Sequence, residues 1–569
     1  MRSLCLVVFM VAACGSVSNH EDAGVDTVPP GSATLALEKT TEWVAQGDST
    51  AINFTITRGS SVTGALTVHV ANLPTGVTAA DVAVAAGATT GTITFNADTS
   101  STAGATTNVD VTLSDTAMMF DTRPFGVFVA GAHGAIDTTF GTTGKLAVPL
   151  PDPVVPAVSG NSTVRAVAQY PASAGANAGK IVVAVELDTT GTATTTWKSA
   201  LVRLNNDGTL DTTFGTAGSM LLTGTNTNRF WPVGIALDSQ GRINVAMMHW
   251  VPNGNCNAYV TRVTAAGVKD TGWTDYDDIP PGGYCGSMTG ITSIAGDKVV
   301  ALGTWNIADT SQRPVLMQFN SDGTQDSAAF GGAFYVKLGN PDLTNAKQTW
   351  ISYRITHDSA GRLLLAGLKC NGGWNAAYSA CESVIGRVTA AGAWDTTFGT
   401  AVGGNHGYSS LTFGTTASAP QGFQGLLLDS AGNIFTSGWS EDYTTATLAK
   451  WSGTDGAIDT TFGTSGRVSP VLVTGGTVQE LNDLALDSTG RIVGLGYAVS
   501  GGPLVVTTRY SATGTIDSGF ATAGVATAMA AGVSPYGAIA TDGRIIVVGG
   551  TPRGGSNPGT DLAVWRVWP

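Results

Sequence analysis

One phrase recurs along the chain and limits what it can fold into. It reads Gly-Thr-Leu-Asp-Thr-Thr-Phe-Gly-Thr-Ala-Gly from Gly208 to Gly218, with close copies at Gly134–Gly144 and Gly456–Gly466. Looser copies cover Gly392–Gly399 and Gly514–Gly524, and degenerate ones centre on Asp270–Trp273 and Asp326–Phe330. The recurring acids are Asp137, Asp211, Asp270, Asp326, Asp395, Asp459 and Asp517, spaced 56 to 74 residues apart. Self-similarity at such a period marks a repeat architecture, and the spacing holds four short strands with their turns.

Each repeat has a second half. Leu237-Asp238-Ser239-Gln240-Gly241-Arg242-Ile243 is echoed at His357–Leu363, Leu428–Ile434, Leu486–Ile492 and Thr541–Ile545, and more weakly at Gly179–Ile181 and Gly296–Val299. An apolar stretch, a tight Asp/Gly turn and a β-branched run together read as a hairpin. A third strand follows, as in Ala200–Leu204, Tyr259–Val263 and Val384–Val388, and then the Asp-aromatic phrase and a fourth strand. Four strands per repeat, set radially, leave only short and protected sheet edges. The last repeat reaches Pro569 after its third strand, and the missing phrase and fourth strand have their counterpart in Gly134–Leu150. An N-terminal strand completing a C-terminal blade would close a ring. The expected fold class is therefore all-β, a seven-bladed β-propeller of four-stranded blades over residues 131–569.

The paired signatures, Asp-Thr-Thr-Phe-Gly and Asp-x-x-Gly-Arg-Ile, resemble the delta-60 repeat family of bacterial secreted proteins across about three quarters of the chain. That resemblance implies architecture rather than a reaction. The sequence departs from the pattern at Trp273, at the extra residue before Phe330, and at Ala521, where Gly is usual.

Residues 33–130 alternate with period two, as in Ile52/Phe54/Ile56, Leu66/Val68/Val70 and Val109/Val111/Leu113. About seven such strands predict a β-sandwich. Asn72-Leu73-Pro74-Thr75-Gly76-Val77 is similar to a stretch of bacterial immunoglobulin-like modules, which implies a spacer or adhesive role. His69, between Val68 and Val70, is expected to face outward.

Residues 1–13 carry Arg2, an apolar core from Leu4 to Met10, and small residues leading to Cys14-Gly15. This is the layout of an export signal. Its end resembles the bacterial lipoprotein box, which implies that Cys14 is lipidated and that Gly15 directs the protein to an outer leaflet. Acyl chains contribute roughly 0.8 kcal/mol per buried methylene, so a multiply acylated Cys anchors stably to a membrane. Residues 14–32, with Pro29-Pro30 and no periodicity, read as the lipidated Cys and a flexible tether.

With 75 Gly and only 12% charged residues, composition suits turn-rich β-structure. A net charge of -13 without any Lys/Arg cluster disfavours nucleic acid. Cys256, Cys285, Cys370 and Cys381 form an even set in an expected export context, so disulfides are predicted, 256 with 285 and 370 with 381. A Cys-only zinc site fits poorly, because no Cys-x-x-Cys pair occurs. Calcium at the repeated Asp is the lesser reading. The EF-hand Glu is missing, and an Asp capping its own turn explains the pattern without metal.

No phosphate loop or nucleophile elbow is present. Asp275, Asp277, Asp278, Glu441 and Asp442 could supply a glycosidase pair, although an acidic surface carries such clusters in any case. Aromatic residues are more regular. Trp250, Trp305, Trp374, Trp439 and Tyr497 follow second strands, while Trp231, Trp350 and Tyr536 sit at entries to first strands. Both connections lie on one face of a propeller, so the rings are expected there, suited to sugars or a protein partner. The competing expectation is that they pack between blades. The sequence thus points to a cell-surface lipoprotein presenting a binding propeller for a glycan or protein. A polysaccharide hydrolase or lyase is the alternative, and a structural envelope protein the second.

Overall fold

The computed structural model describes residues 29–141, 144–148, 162–188, 197–222, 229–250, 256–279, 286–306, 312–339, 348–371, 379–399, 406–413, 421–440, 443–487, 489–529, 536–539, 544–552 and 560–568. The chain divides into two compact units, residues 1–130 and 131–569. Among the described residues the only helical elements are two 3-10 turns, Ala172–Asn177 and Ala295–Asp297. The signal segment and Cys14 lie outside the described residues.

In the first unit a four-stranded sheet runs Ala33–Leu37, Ser49–Arg58, Thr90–Ala97, Val77–Ala79. A five-stranded sheet runs Thr41–Ala45, Met119–Ala130, Thr106–Ser114, Leu66–Ala71, Val82–Val84. Along Ser49–Arg58 burial alternates residue by residue, as the pleat requires when one face is wet. The inward residues Ile52, Phe54, Ile93 and Phe95 share one core with Val109, Val111, Phe125 and Val127 of the other sheet. The chain changes sheets early. Ala33–Leu37 pairs antiparallel with the strand ending at Arg58, whereas Thr41–Ala45 runs parallel to Gly126–Ala130. His69 is exposed, with Nδ1 2.6 Å from Asp81 Oδ1. One expectation needs correcting. The tether was expected to reach Ser32, but the Ser61 amide donates to Pro30 O and the Gly59 amide to Ser32 O, so Pro29–Ser32 belong to the folded unit.

The second unit holds seven four-stranded antiparallel sheets among the described residues. Their inner strands are Ser162–Gln169 (sheet I), Arg229–Leu237 (II), Gly286–Ile294 (III), Gln348–His357 (IV), Gly422–Leu428 (V), Gln479–Leu486 (VI) and Tyr536–Ile539 (VII). In sheets I to VI the remaining strands follow in chain order outward. Sheet VII instead runs Tyr536–Ile539, Ile545–Pro552, Thr560–Val567 and then Lys145–Val148. Its outer strand is thus an early segment, with Lys145 opposite Trp565 and Val148 opposite Leu562.

Second strands read as unbroken apolar runs because both of their faces are covered. In sheet I, Ile181, Val183 and Val185 pack with Ile546, Val548 and Val564 of sheet VII. The intervening Val182 and Ala184 face Ile243, Val245 and Met247 of sheet II. Successive side chains on a strand point to opposite sides, so one strand serves two cores. Further cores lie between II and III, III and IV, IV and V, V and VI, and VI and VII. This radial stacking of four-stranded sheets is that of a β-propeller. Cys370 and Cys381 form a disulfide linking the second and third strands of sheet IV. Cys256 is also disulfide-bonded; Cys285 lies outside the described residues.

Candidate functional site

The repeated Asp has a mechanical task. In sheet I, Asp211 Oδ1 accepts from the Thr213 amide and hydroxyl, closing its own turn. Asp211 Oδ2 accepts from Arg203 Nε on the third strand at 2.7 Å and from Lys180 Nζ at 2.9 Å. The Arg203 guanidinium lies 4.6 Å from the Phe214 ring centre and donates onward to Ala265 O in the next sheet. The Gly215 amide follows, donating to Ala266 O, and Phe214 packs where a Cβ on Gly267 would stand. Aspartate, arginine and aromatic ring therefore lock one sheet to the turn of the next.

The same unit recurs as Arg262–Asp270–Trp273, Arg387–Asp395–Phe398 and Arg509–Asp517–Phe520. Lys450 stands in for arginine at Asp459, and Gln318 at Asp326. Burial pushes the Asp211 carboxyl up, but hydrogen bonds from Thr213 and Lys180 and the charge of Arg203 outweigh it and hold it well below the ordinary carboxylate range. Both Asp211 oxygens are occupied by the protein's own donors. No group of three His, Cys, Asp or Glu gathers at metal-binding range among the described residues.

The predicted aromatic face is only partly realised. Trp305 is 0% exposed, Trp350 3% and Trp439 5%, which corrects the expectation of a ring of open tryptophans. Glycine is the reason. Trp305 turns back over Gly286 and Gly303, where added Cβ atoms would strike it at 2.6 and 1.7 Å. Trp350 packs against the tilted Trp394 ring and edge-on against Tyr408, and Trp439 lies over Gly422 with Tyr353 at its edge. Tyr497 is half-buried opposite Glu480. Trp374 lies outside the described residues, as do Glu441, Asp442 and the side chain of Tyr536. Asp275 and Asp277 are structural partners, of Lys269 and Tyr259 and of His249 and Asn257 respectively.

Of the predicted tryptophans among the described residues, Trp250 stays open. Trp250, 47% exposed, ends the second strand of sheet II beside the half-buried Trp231 of the inner strand, with ring centres 6.5 Å apart and planes 29° off parallel. Arg229 lies 4.8 Å over the Trp231 ring and donates to Glu186 Oε1 at 2.7 Å. Glu186 is buried and takes Arg165 on its other oxygen. Arg165 in turn lines a central cavity where the inner strands converge, together with Thr289, Arg354 and Asp483. An aromatic platform, a chain of ion pairs and a polar cavity are thus continuous. None of the charged members was singled out in the sequence. The available signal was a charge set inside an apolar inner strand, as in Val164-Arg165-Ala166 and Tyr353-Arg354-Ile355.

Residues 179–214 and 297–328 match the family described as "Domain of unknown function (DUF5122) beta-propeller". No curated protein matches this sequence. Among solved structures, a protein of unknown function from Dyadobacter fermentans is similar at 12% identity and TM-score 0.39, over 74% of this chain and 97% of its own. The Hadza microbial sialidase Hz136 is similar at 7% identity and TM-score 0.35, over 82% and 93%. Drosophila Semaphorin 1a, extracellular domains 1-2, is similar at 9% identity and TM-score 0.34, over 74% and 88%. The family match and the seven four-stranded sheets together give a β-propeller.

Proposed function

We propose that the protein is an exported lipoprotein whose propeller binds a glycan at the cell surface. In this reading Cys14 carries the lipid, the segment after it is a tether, and residues 33–130 are an immunoglobulin-like spacer. The early change of sheets, antiparallel at Ala33–Leu37 and parallel at Thr41–Ala45, supports that spacer. The propeller is a closed ring of seven blades, a reading supported by the packing of sheet VII on sheet I.

The observation that carries the binding reading is the open pair Trp231 and Trp250, backed by the Arg229–Glu186–Arg165 chain. Flat aromatic faces stack on sugar rings, and fixed charges beside them orient hydroxyls. A glycan array probed with the lipid-free mature chain tests it. Selective glycan binding that Trp250→Ala removes supports the reading. An empty array, or capture of a protein with no sugar dependence, refutes it. Independently, the wild-type protein should label with a clickable fatty acid and Cys14→Ser should not.

Polysaccharide cleavage is the second reading, favoured by one observation. Burial pushes the Glu480 carboxyl up, as a general acid needs, and Asp483 of the same inner strand lines the cavity. Release of reducing ends that Glu480→Gln abolishes would establish it over simple binding.

A further inference from the structure

Six inner strands share an irregularity. Register shifts fall between Val164 and Ala166, Pro232 and Gly234, Met288 and Gly290, Ser352 and Arg354, Phe423 and Gly425, and Leu481 and Asp483. A bulge leaves one residue unpaired and re-aims its neighbours. Repeated at one level, the bulges border an open cavity of about 120 Å³ formed by the inner strands of sheets I, II, III, IV and VI. Bulge residues of three sheets, Arg165, Val233 and Thr289, line it directly.

The lining carries charges of both signs. Arg165 is matched by Glu186, while Arg354 and Asp483 supply one cation and one anion from facing strands. Arg354 also reaches across to Asn482 O at 3.4 Å. A ligand with its own net charge would meet its own sign somewhere on this wall. A hydroxyl group, which both donates and accepts, suits every polar member. Thr289 adds a buried Oγ1 that has no hydrogen-bond partner. Ile291 and Ile355 complete the wall with aliphatic surface.

We infer that this cavity receives the terminal residue of a neutral sugar chain. Its hydroxyls bond Thr289, Asp483 and Arg354, and its C–H face lies on Ile291 and Ile355. The inference rests on the glycan reading and makes it more specific: the platform at Trp250 holds the chain along the rim, and the cavity selects its uncharged end.

The test is calorimetric titration of the lipid-free mature chain with glucose, galactose and xylose, with galacturonate and glucosamine as charged counterparts, and with the glycan selected on the array. The expected result is weak binding of at least one neutral monosaccharide, which competes with the array glycan. Thr289→Val should weaken that binding about tenfold at an unchanged melting temperature, and Thr289→Ser should restore it. A charged sugar binding more tightly than its neutral counterpart overturns the assignment. So does array-glycan binding that no monosaccharide competes with and Thr289→Val leaves intact, an outcome that spares the glycan reading. Absence of binding by every sugar, the array glycan included, sinks both.

Discussion

Arg566 Nε donates to Asp137 Oδ2 at 2.6 Å across 429 residues of chain. Arg544 adds a second bond to the same oxygen at 2.9 Å, and the Arg566 guanidinium covers the Phe140 ring at 4.8 Å. The lock found between sheets I and II thus also joins the two ends of the repeat array. Asp137 and Arg566 are both buried, and removal of Arg566 leaves Asp137 with Arg544 as its remaining cation. Arg566→Ala should cost about 1.5 to 3 kcal/mol in denaturant unfolding, through its lost hydrogen bond to the charged Asp137. Arg566→Gln should cost clearly less, because Gln318 performs this task at Asp326. Equal losses for the two variants would show that the contact is incidental.

A second prediction concerns Ala521. It follows the lock aromatic Phe520 and holds φ at 47°, where the equivalent Gly215 and Gly463 stand at 55° and 54°. A left-handed backbone costs a residue with a Cβ about 1 to 2 kcal/mol. Ala521→Gly should therefore raise stability by about 1 kcal/mol, net of the greater freedom of glycine in the unfolded chain. The reverse change, Gly215→Ala, would set a Cβ 2.2 Å from Ser219 O and should be severely destabilising. Differential scanning calorimetry on both variants decides the matter.

Acid should loosen the locks. The Thr461 hydroxyl and the Lys450 ammonium hold the Asp459 carboxyl down at about 2, against an ordinary value of 3.8. A carboxylate depressed in the fold contributes stability above its unfolded pKa and loses it as pH falls through its folded value. Asp211, Asp270, Asp326 and Asp395 are shifted the same way. Melting temperature should hold steady from neutrality to about pH 4 and drop steeply towards pH 2. Asp459→Asn should lower the neutral plateau and make the acid slope shallower. An unchanged slope would exclude Asp459 as a contributor.

The tryptophans separate the open ring from the buried ones. Trp305→Ala should cost about 3 to 5 kcal/mol, because a fully buried ring leaves a cavity. Trp250→Ala should change stability by no more than about 0.5 kcal/mol while removing glycan binding. Comparable losses in the two variants would make Trp250 a packing residue.

The repeat made the sheets readable, because Asp-x-x-aromatic and Asp-x-x-Gly-Arg mark turns with fixed backbone needs. Asp238, for example, accepts from the Gln240 and Arg242 amides and from Arg242 Nε, a lasso whose members are all local in sequence. The burial of Trp305 was less readable, since it depends on Gly286, in the strand before its own, as well as on Gly303. The cavity was less readable still. Arg165, Thr289, Arg354 and Asp483 belong to four different inner strands, and only the radial arrangement brings them together. The role of the repeated Asp fell between these cases: its turn was predicted, while its arginine and the grip on the next sheet were not.

Sheet VII carries a consequence for the order of events when the chain emerges from the ribosome. Sheets I to VI each complete themselves from a contiguous stretch and can form in sequence as it appears. Lys145–Val148 emerges before any of them, yet its pairing partner Thr560–Val567 appears last. Until then the early strand has no ladder, and sheets I and VI each lack a neighbour on one flank. Non-local pairing of this kind is slow to find. A chain stopped short of the last strand would leave the flanks of sheets I and VI open to any chaperone it meets.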